Sequence, residues 1–101
     1  MSKAKFILKL SQEGYDDLVN IQNYTYSEHG ESQWKKYGQD LDSGLKHILK
    51  YPLSGRKRDD IPEGYLAWPV REHVMIYRVE RKTIFLVRVL HSKMDFRFQF
   101  S

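Results

Sequence analysis

The sequence predicts a single α+β domain over residues 1–101, in which a pair of helices packs on one face of an antiparallel sheet. Residues 73–80 and 83–91 are two runs of β-branched and aromatic residues joined by a short charged connection, which is typical of an antiparallel hairpin. Residues 11–50 repeat apolar side chains at spacings of three and four on either side of Gly30, which indicates two amphipathic helices. The length of 101 residues suffices for one compact domain but not for two.

The first strand is predicted over residues 5–10, where apolar side chains alternate. Ser11 offers an N-cap for the helix that follows, and Glu13 places a carboxylate in its first turn, where the helix dipole favours it. Gly30 is well placed to end this helix, because glycine adopts a left-handed backbone conformation at little cost. The apolar face expected for this helix holds Tyr15, Leu18, Val19 and Tyr26, with Ile21 at its margin.

A second helix should follow at once and end at Tyr51, because the residue before Pro52 is disfavoured in the helical region. Two helices joined so tightly are expected to form an antiparallel hairpin. The apolar positions of the second helix recur most regularly in the chain, at Trp34, Tyr37, Leu41, Leu45, Ile48 and Leu49.

Residues 53–64 are charged and contain glycine and proline, so they are predicted to form a surface loop. The strand expected over residues 65–71 includes Pro69, which cannot donate to a ladder and therefore indicates an edge strand or a bulge. The faces of the last hairpin follow if Glu80 lies opposite Thr83. One face then holds Val74, Ile76, Arg78, Phe85, Val87 and Val89. The other face holds Met75, Tyr77, Val79, Ile84, Leu86 and Leu90, with Arg88 among them. Both faces are apolar. Because one helical hairpin covers only one of them, the second face is open to a partner unless the C-terminal tail folds back on it.

The composition limits the class of protein. The net charge of +4 and the pI near 9.3 suit an acidic partner as well as a nucleic acid, and an ordinary domain with surplus lysines is the simplest interpretation. The absence of cysteine excludes disulfides and thiolate chemistry. The apolar run after the N-terminus is broken by Lys9 and is too short for a signal peptide or a membrane span, so a cytoplasmic protein without membrane contact is expected. No metal or cofactor is expected.

Several motifs, in this order, resemble the ParE branch of the RelE/ParE toxin superfamily, and the resemblance covers nearly the whole chain. They are Tyr51-Pro52-Leu53-Ser54-Gly55 at a helix end, Gly64-Tyr65 leading to Trp68-Pro69, then His73-Val74-Met75-Ile76-Tyr77-Arg78, and finally Arg88-Val89-Leu90-His91-Ser92-Lys93-Met94-Asp95. The resemblance implies a toxin held silent by a cognate antitoxin, a small DNA-binding protein with a disordered C-terminal segment. ParE-type toxins trap the cleaved-DNA complex of DNA gyrase, whereas RelE-type relatives cut messenger RNA in the ribosome.

Whether the chain also has a nuclease site is a separate question, since RNA cleavage needs a base, an acid and cations. The candidates at the strand ends are Arg71, Glu72, His73, Arg78, Arg88, His91 and Lys93. RelE-like nucleases place an arginine after the first residue of a similar strand, and this chain has Val74 there. The chain also lacks their close-set upstream lysines, and Asp59 and Asp60 follow its basic run directly. His91 is therefore expected to satisfy backbone groups, and catalytic residues are not expected. Arg88, His91 and Lys93 stay on the list of residues with a possible functional role.

The antitoxin is expected to contact a set of residues on the second sheet face and its margin, namely Trp68, Arg71, Val74, Ile76, Arg78 and Phe85. If the second helix forms a wall of this groove, Trp34 or Tyr37 is expected to join them. For Ile76 and Phe85 a simple place in the core is a strong alternative. Arg78 and Arg88 lie within apolar strands, where an unpaired charge costs several kcal/mol. They are expected either to pair with an internal carboxylate or to face an acidic antitoxin.

The C-terminal residues alternate phenylalanine with polar side chains, which predicts either a short extra strand or an exposed hydrophobic tip. By resemblance, Phe96, Arg97, Phe98 and Phe100 are expected to engage gyrase. The interpretation favoured overall is a non-enzymatic gyrase-binding toxin, for which no sequence-specific contact with nucleic acid is expected. The alternatives are a ribosome-dependent messenger RNA endonuclease and a degenerate homologue that only binds its antitoxin.

Overall fold

The structure is a computed structural model that describes residues 5–100. It contains four strands, one long helical element and a 3₁₀ helix. In chain order these are β1 (Ile7–Leu10), α1 (Gln12–Lys50), β2 (Leu66–Val70), β3 (His73–Glu80), β4 (Thr83–His91) and the 3₁₀ helix (Phe96–Phe98). The α+β class is therefore confirmed.

The four strands form one mixed sheet in the order β1-β4-β3-β2. The predicted three-stranded meander is present as β2, β3 and β4, with Glu80 opposite Thr83 as expected. The prediction omitted the place of β1, which joins the sheet beside β4 and runs parallel to it. Parallel pairing is possible because the helical element provides a long crossover between the two strands. β2 lies at the opposite edge, where Pro69 needs no ladder partner.

The helical element begins as predicted at Ser11, whose hydroxyl oxygen accepts the Gly14 N–H, and it ends before Tyr51. Within this element one residue, Gly30, is non-helical at φ 86° and separates two helical segments, as its place in the sequence predicted. A straight helix of this length would span about 58 Å, but the longest dimension of the molecule is 44 Å. Leu18 and Leu41, from the two halves of α1, line the same groove. The element therefore folds back on itself at Gly30.

The predicted inner face of the first half of α1 was partly wrong. Ile21, expected at the margin, is buried, whereas Tyr15 and Tyr26 are more than half exposed. Because β1 and the second half of α1 flank this segment, its buried side is set by tertiary contacts.

A bulge in β4 changes which side chains share a face. Ile76 pairs with Arg88 but Tyr77 pairs with Leu86, so Val87 is an extra residue in β4. Beyond the bulge the predicted faces were wrong, because one added residue exchanges the two sides of a strand. Val89 pairs with Met75 on the helix side, and Leu90 pairs with Val74 on the other side.

The helix side of the sheet holds the larger core. Its fully buried members are Ile48, Met75, Tyr77, Ile84 and Leu86. α1 approaches the sheet closely at Gly14, where a Cβ atom would lie 2.6 Å from the carbonyl oxygen of Leu86. The Ser11 hydroxyl donates to the Val87 carbonyl at 2.7 Å, so the start of the helix is fixed directly on the bulge.

The second face of the sheet is largely covered by the chain itself. Ile61 from the loop and Phe96 from the C-terminal residues pack on Val74, Ile76 and Leu90. Of the two possibilities predicted, the tail folding back is therefore the one observed. The part of this face near β1 stays accessible, with Ile7 59% exposed and Phe85 partly exposed.

Candidate functional site

A groove with a volume of about 570 Å³ runs along the outer edge of β2. We call it the basic groove, and it is lined by Arg56, Lys57, Arg58, Ala67, Trp68, Pro69 and Val74. Arg58 forms a bidentate pair with Asp60, with nitrogen–oxygen distances of 2.7 and 2.6 Å. Within residues 5–100, Arg56 and Lys57 have no ion-pair partner. The groove thus combines an apolar floor with two unpaired cations.

Two sets of contacts fix the lining of the basic groove, one made by Trp68 and the other by Ala67. The Trp68 indole stacks on the His47 ring from α1, with 4.0 Å between ring centroids and 15° between planes. The outward backbone groups of Ala67 are paired with those of Arg56, and Pro69 has no N–H. A partner therefore cannot extend the sheet here and must bind through side chains.

The six residues predicted to contact an antitoxin do not form one surface. Trp68 and Val74 line the basic groove, whereas Ile76 is 0% exposed and belongs to the core. Arg78 and Phe85 lie together on the open part of the second face, with the guanidinium carbon 4.3 Å from the ring centroid. Arg71 lies at the β2–β3 turn and pairs with Asp40.

Sequence reasoning missed Arg56 and Lys57, although their basic run was visible. The run was discounted because Asp59 and Asp60 follow it. In the structure only Arg58 among the three cations is paired with one of these carboxylates, so the charge of the run is neutralised only in part.

Both arginines of the apolar strands have a carboxylate partner within the chain. Arg78 pairs with Glu80 near the surface, and the partner of Arg88 is more deeply buried. The Nε and Nη2 of Arg88 donate to Asp17 at 2.7 and 3.1 Å, and the same carboxylate accepts the Val89 N–H at 2.9 Å. Hydrogen bonding to Asp17 raises the pKa of Arg88. Both side chains are about 15% exposed or less, so Arg88 holds α1 to the bulged strand and is not offered to a partner.

The C-terminal residues 94–100, which we call the tail, do not form the predicted extra strand, and the predicted exposed hydrophobic tip is present only at Phe98. The Asp95 carboxylate accepts the Arg97 N–H and starts a 3₁₀ helix, in which alternating residues do not share a face as they would in a strand. Phe96 is 1% exposed and lies under Arg58, whereas Phe98 is 80% exposed. Phe100 contacts Tyr65 edge-on. Of the four residues predicted to engage gyrase, Phe98 and Arg97 are therefore the two that are exposed, and Arg97 pairs with Asp95.

Three titratable side chains meet where the strands end beside the helical element. The Tyr37 hydroxyl hydrogen-bonds to His73 Nδ1, and the His73 ring lies edge-on to His91 at 5.3 Å. His91 Nδ1 accepts the Lys93 N–H at 3.2 Å, a backbone contact of the kind expected. Burial raises the pKa of Tyr37 to about 12. The sequence did not predict Tyr37 at this place, because Tyr37 was interpreted as part of an apolar helix face and as a candidate antitoxin contact.

Burial, together with the nearby His91, lowers the pKa of His73 below its ordinary value of 6.5. The neutral ring is thus favoured by folding, and this contribution to stability is complete above pH 6.5 and is lost as the pH falls toward the folded-state pKa. We expect urea denaturation to show unfolding free energy decreasing from about pH 7.5 to about pH 5.5. The decrease should be smaller in His73→Gln and unchanged in His29→Gln, which alters an exposed histidine. An equal decrease in wild type and His73→Gln would contradict the prediction.

Residues 5–100 contain no group of three or more His, Asp or Glu side chains arranged to hold a metal ion. No helix in the same range has both the length and the apolar character needed to cross a membrane.

Comparison with known proteins identifies relatives for this architecture. Residues 8–96 match the family described as ParE toxin of type II toxin–antitoxin system, parDE. A solved structure described as the chromosomal ParDE TA system from P. aeruginosa is similar, with a TM-score of 0.74 and 20% identity over 88% of this chain and 98% of that chain. The E. coli DinJ–YafQ toxin–antitoxin complex is similar with a TM-score of 0.59 and 13% identity, over 86% and 92% of the two chains. No curated protein sequence matches significantly.

Proposed function

Since the chain belongs to the ParE toxin family of type II toxin–antitoxin systems, we propose that it arrests growth by binding DNA gyrase and trapping the cleaved-DNA complex. A cognate antitoxin neutralises it in this proposal. The toxin acts by binding, without catalysing a reaction of its own. The observation on which the proposal rests is the division of its surface into two separate contact regions, the basic groove and the exposed end of the tail.

The basic groove is the proposed antitoxin site. Arg56 and Lys57 suit an acidic segment, and the floor formed by Trp68, Pro69 and Val74 suits apolar side chains between the acids. A disordered segment that orders on this groove gains contacts with both. The blocked edge of β2 favours side-chain contacts over strand addition.

The tail is the proposed gyrase site. Phe98 is 80% exposed, and the Arg97 guanidinium lies 5.8 Å from its ring centroid. An exposed aromatic ring beside an arginine is the composition typical of interface hot spots. Phe96 is excluded from this role because its ring is buried, and Phe100 is partly covered by Tyr65.

The two regions can be tested by one variant expected to lose gyrase inhibition and another expected to lose antitoxin binding. We expect Phe98→Ala to weaken gyrase inhibition roughly 10-fold and to keep antitoxin binding. We expect Arg56→Glu with Lys57→Glu to remain toxic but to bind the antitoxin roughly 10-fold more weakly, because the partner is acidic. Supercoiling inhibition, DNA double-strand breaks after induced expression, and rescue by the co-encoded antitoxin are the measurements.

Leu53→Ala is the matched control for Phe98→Ala, since Leu53 is 78% exposed on a different part of the surface. Lys35→Glu with Lys36→Glu repeats the charge reversal on the exposed side of α1. Full toxicity of Phe98→Ala would remove the tail from the gyrase proposal. Loss of rescue in the lysine control as well would show that only overall charge matters.

The second candidate function is ribosome-dependent cleavage of messenger RNA, favoured by the meeting of Tyr37, His73 and His91. Against it, the residue after His73 is Val74, which can neither transfer a proton nor bind phosphate. The same induction experiment separates the two functions. Loss of translation with transcript cleavage and without DNA breaks would favour the nuclease.

A further inference from the structure

The buried side chain of Tyr77 connects the middle of the sheet to the loop that follows α1. Its ring is 0% exposed in the core on the helix side of the sheet, and its hydroxyl reaches the loop. The hydroxyl donates to the Pro52 carbonyl at 2.7 Å and accepts the Gly55 N–H at 3.0 Å. One side chain of β3 therefore holds both ends of the loop segment 52–55, which lies between the end of α1 and Arg56 of the basic groove.

The contact between Tyr77 and this segment is tight. A Cβ atom on Gly55 would lie 2.6 Å from the Tyr77 hydroxyl oxygen and 3.0 Å from the Leu66 Cβ, so residue 55 fits here only without a side chain. Burial raises the pKa of Tyr77 above its ordinary value of 10, so the hydroxyl stays protonated at neutral pH. It therefore remains available both as the donor to Pro52 and as the acceptor for Gly55.

The residues that follow the segment are the two unpaired cations of the basic groove. Arg56 comes directly after Gly55, and its backbone N–H and carbonyl pair with those of Ala67 at 2.9 and 2.8 Å. Lys57 belongs to neither a helix nor a strand. The path of the chain into the groove is therefore set by two contacts, that of Gly55 with Tyr77 and that of Arg56 with Ala67.

The Tyr77 hydroxyl has no other use in the described part of the chain. Within residues 5–100 its hydrogen-bond partners lie in the segment 52–55, and a phenylalanine ring would fill the same part of the core. A partner protein cannot reach the side chain, since it is fully buried. Any effect of the hydroxyl on binding must therefore pass through the loop.

We propose that Tyr77 is a positioning residue for the antitoxin, whose hydroxyl fixes the loop so that Arg56 and Lys57 line the basic groove before the partner arrives. A loop that is already ordered loses less conformational entropy when an acidic segment binds, so the affinity is higher. The inference rests on the proposed function, because it concerns the groove assigned to the antitoxin. It goes further in making the affinity depend on a residue that touches no partner.

Tyr77→Phe tests the inference, because it removes the hydroxyl and keeps the ring. In the toxin alone, we expect amide hydrogen exchange at Gly55, followed by nuclear magnetic resonance, to become about 10-fold faster, as the loss of one hydrogen bond predicts. Isothermal titration calorimetry should show about 10-fold weaker binding of the co-encoded antitoxin. Gly55→Ala disturbs the same contact from the side of the loop and should weaken antitoxin binding as well.

A double-mutant cycle separates positioning from a general loss of stability. In the background of Arg56→Glu with Lys57→Glu, Tyr77→Phe should weaken antitoxin binding no further, because the hydroxyl acts through these two cations. Ile84→Val is the control for the core, since it shortens another fully buried side chain and should leave antitoxin binding unchanged. Tyr65→Phe is the control for the chemical change, since within residues 5–100 the Tyr65 hydroxyl has no hydrogen-bond partner.

The outcomes distinguish the inference from the proposed function. If the charge reversal weakens antitoxin binding but Tyr77→Phe does not, only the inference is overturned. An equal loss in Ile84→Val, or a full further loss from Tyr77→Phe after the charge reversal, would also overturn the inference alone. If the charge reversal has no effect, the antitoxin does not use the basic groove, and the proposed antitoxin site and the inference are both overturned.

Discussion

Replacing Asp17 by alanine is expected to lower the free energy of unfolding by about 3–5 kcal/mol. The carboxylate accepts two bonds from Arg88 and one from the Val89 N–H, and both charged groups are largely buried. Without it, Arg88 stays in the sheet with only the distant Glu13 carboxylate, at 4.0 Å, and the Gln99 carbonyl as partners. Urea denaturation followed by circular dichroism measures the loss.

The matched control is Asp42→Ala, which removes an exposed pair with Lys46 and should cost less than about 0.5 kcal/mol. Removing both charges, as in Asp17→Ala with Arg88→Met, should recover part of the loss, because no buried charge is then left unpaired. A cost for Asp17→Ala equal to that of the control would show that the pair does not hold the helix to the bulge.

Replacing Phe96 by alanine is expected to lower the free energy of unfolding by about 3–5 kcal/mol. Its ring is 1% exposed and fills the space between Ile61, Val74 and Leu90 on the second sheet face. Arg58 covers it with its guanidinium carbon 4.4 Å from the ring centroid. The truncation removes these contacts and leaves a cavity, and thermal and urea denaturation both measure the result.

Phe98→Ala is the matched control, because Phe98 lies only two residues from Phe96 but its ring is 80% exposed. We expect its stability to stay within about 0.5 kcal/mol of wild type. If Phe98→Ala were the more destabilising of the two, the tail would not pack as described. The difference also matters for toxicity assays, because loss of activity in Phe96→Ala would report on folding and not on contact with gyrase.

The features that were predicted correctly depend on local signals. Ser11 caps the start of the helical element, Gly30 interrupts it, and Pro52 follows its end. Each of these residues determines the helix boundary through its own backbone conformation or its cap. Pro69 placed β2 at an edge for a similarly local reason. The order of the elements and the family followed from these positions together with the motifs around them.

The features that were missed depend on residues far apart in sequence. The bulge at Val87 has no local signal, because Leu86, Val87 and Arg88 could all belong to a regular strand. It is fixed by contacts of β4 with Ser11 and Asp17, which span 76 and 72 residues of sequence. The cavity of about 320 Å³ beside the ends of β3 and β4 is lined by residues from three segments of the chain, so no local sequence pattern predicts it. In the tail, the Asp95 cap overrides the alternation that suggested a strand.

The pairing of β1 with β4 has a consequence for synthesis. The strand β1 leaves the ribosome before its hydrogen-bonding partner, Thr83–Leu86, which is made only after α1, β2 and β3. Contacts over such long sequence separations slow folding, since the intervening chain must first be brought together. The nascent polypeptide therefore cannot pair β1 within the sheet until β4 has been made.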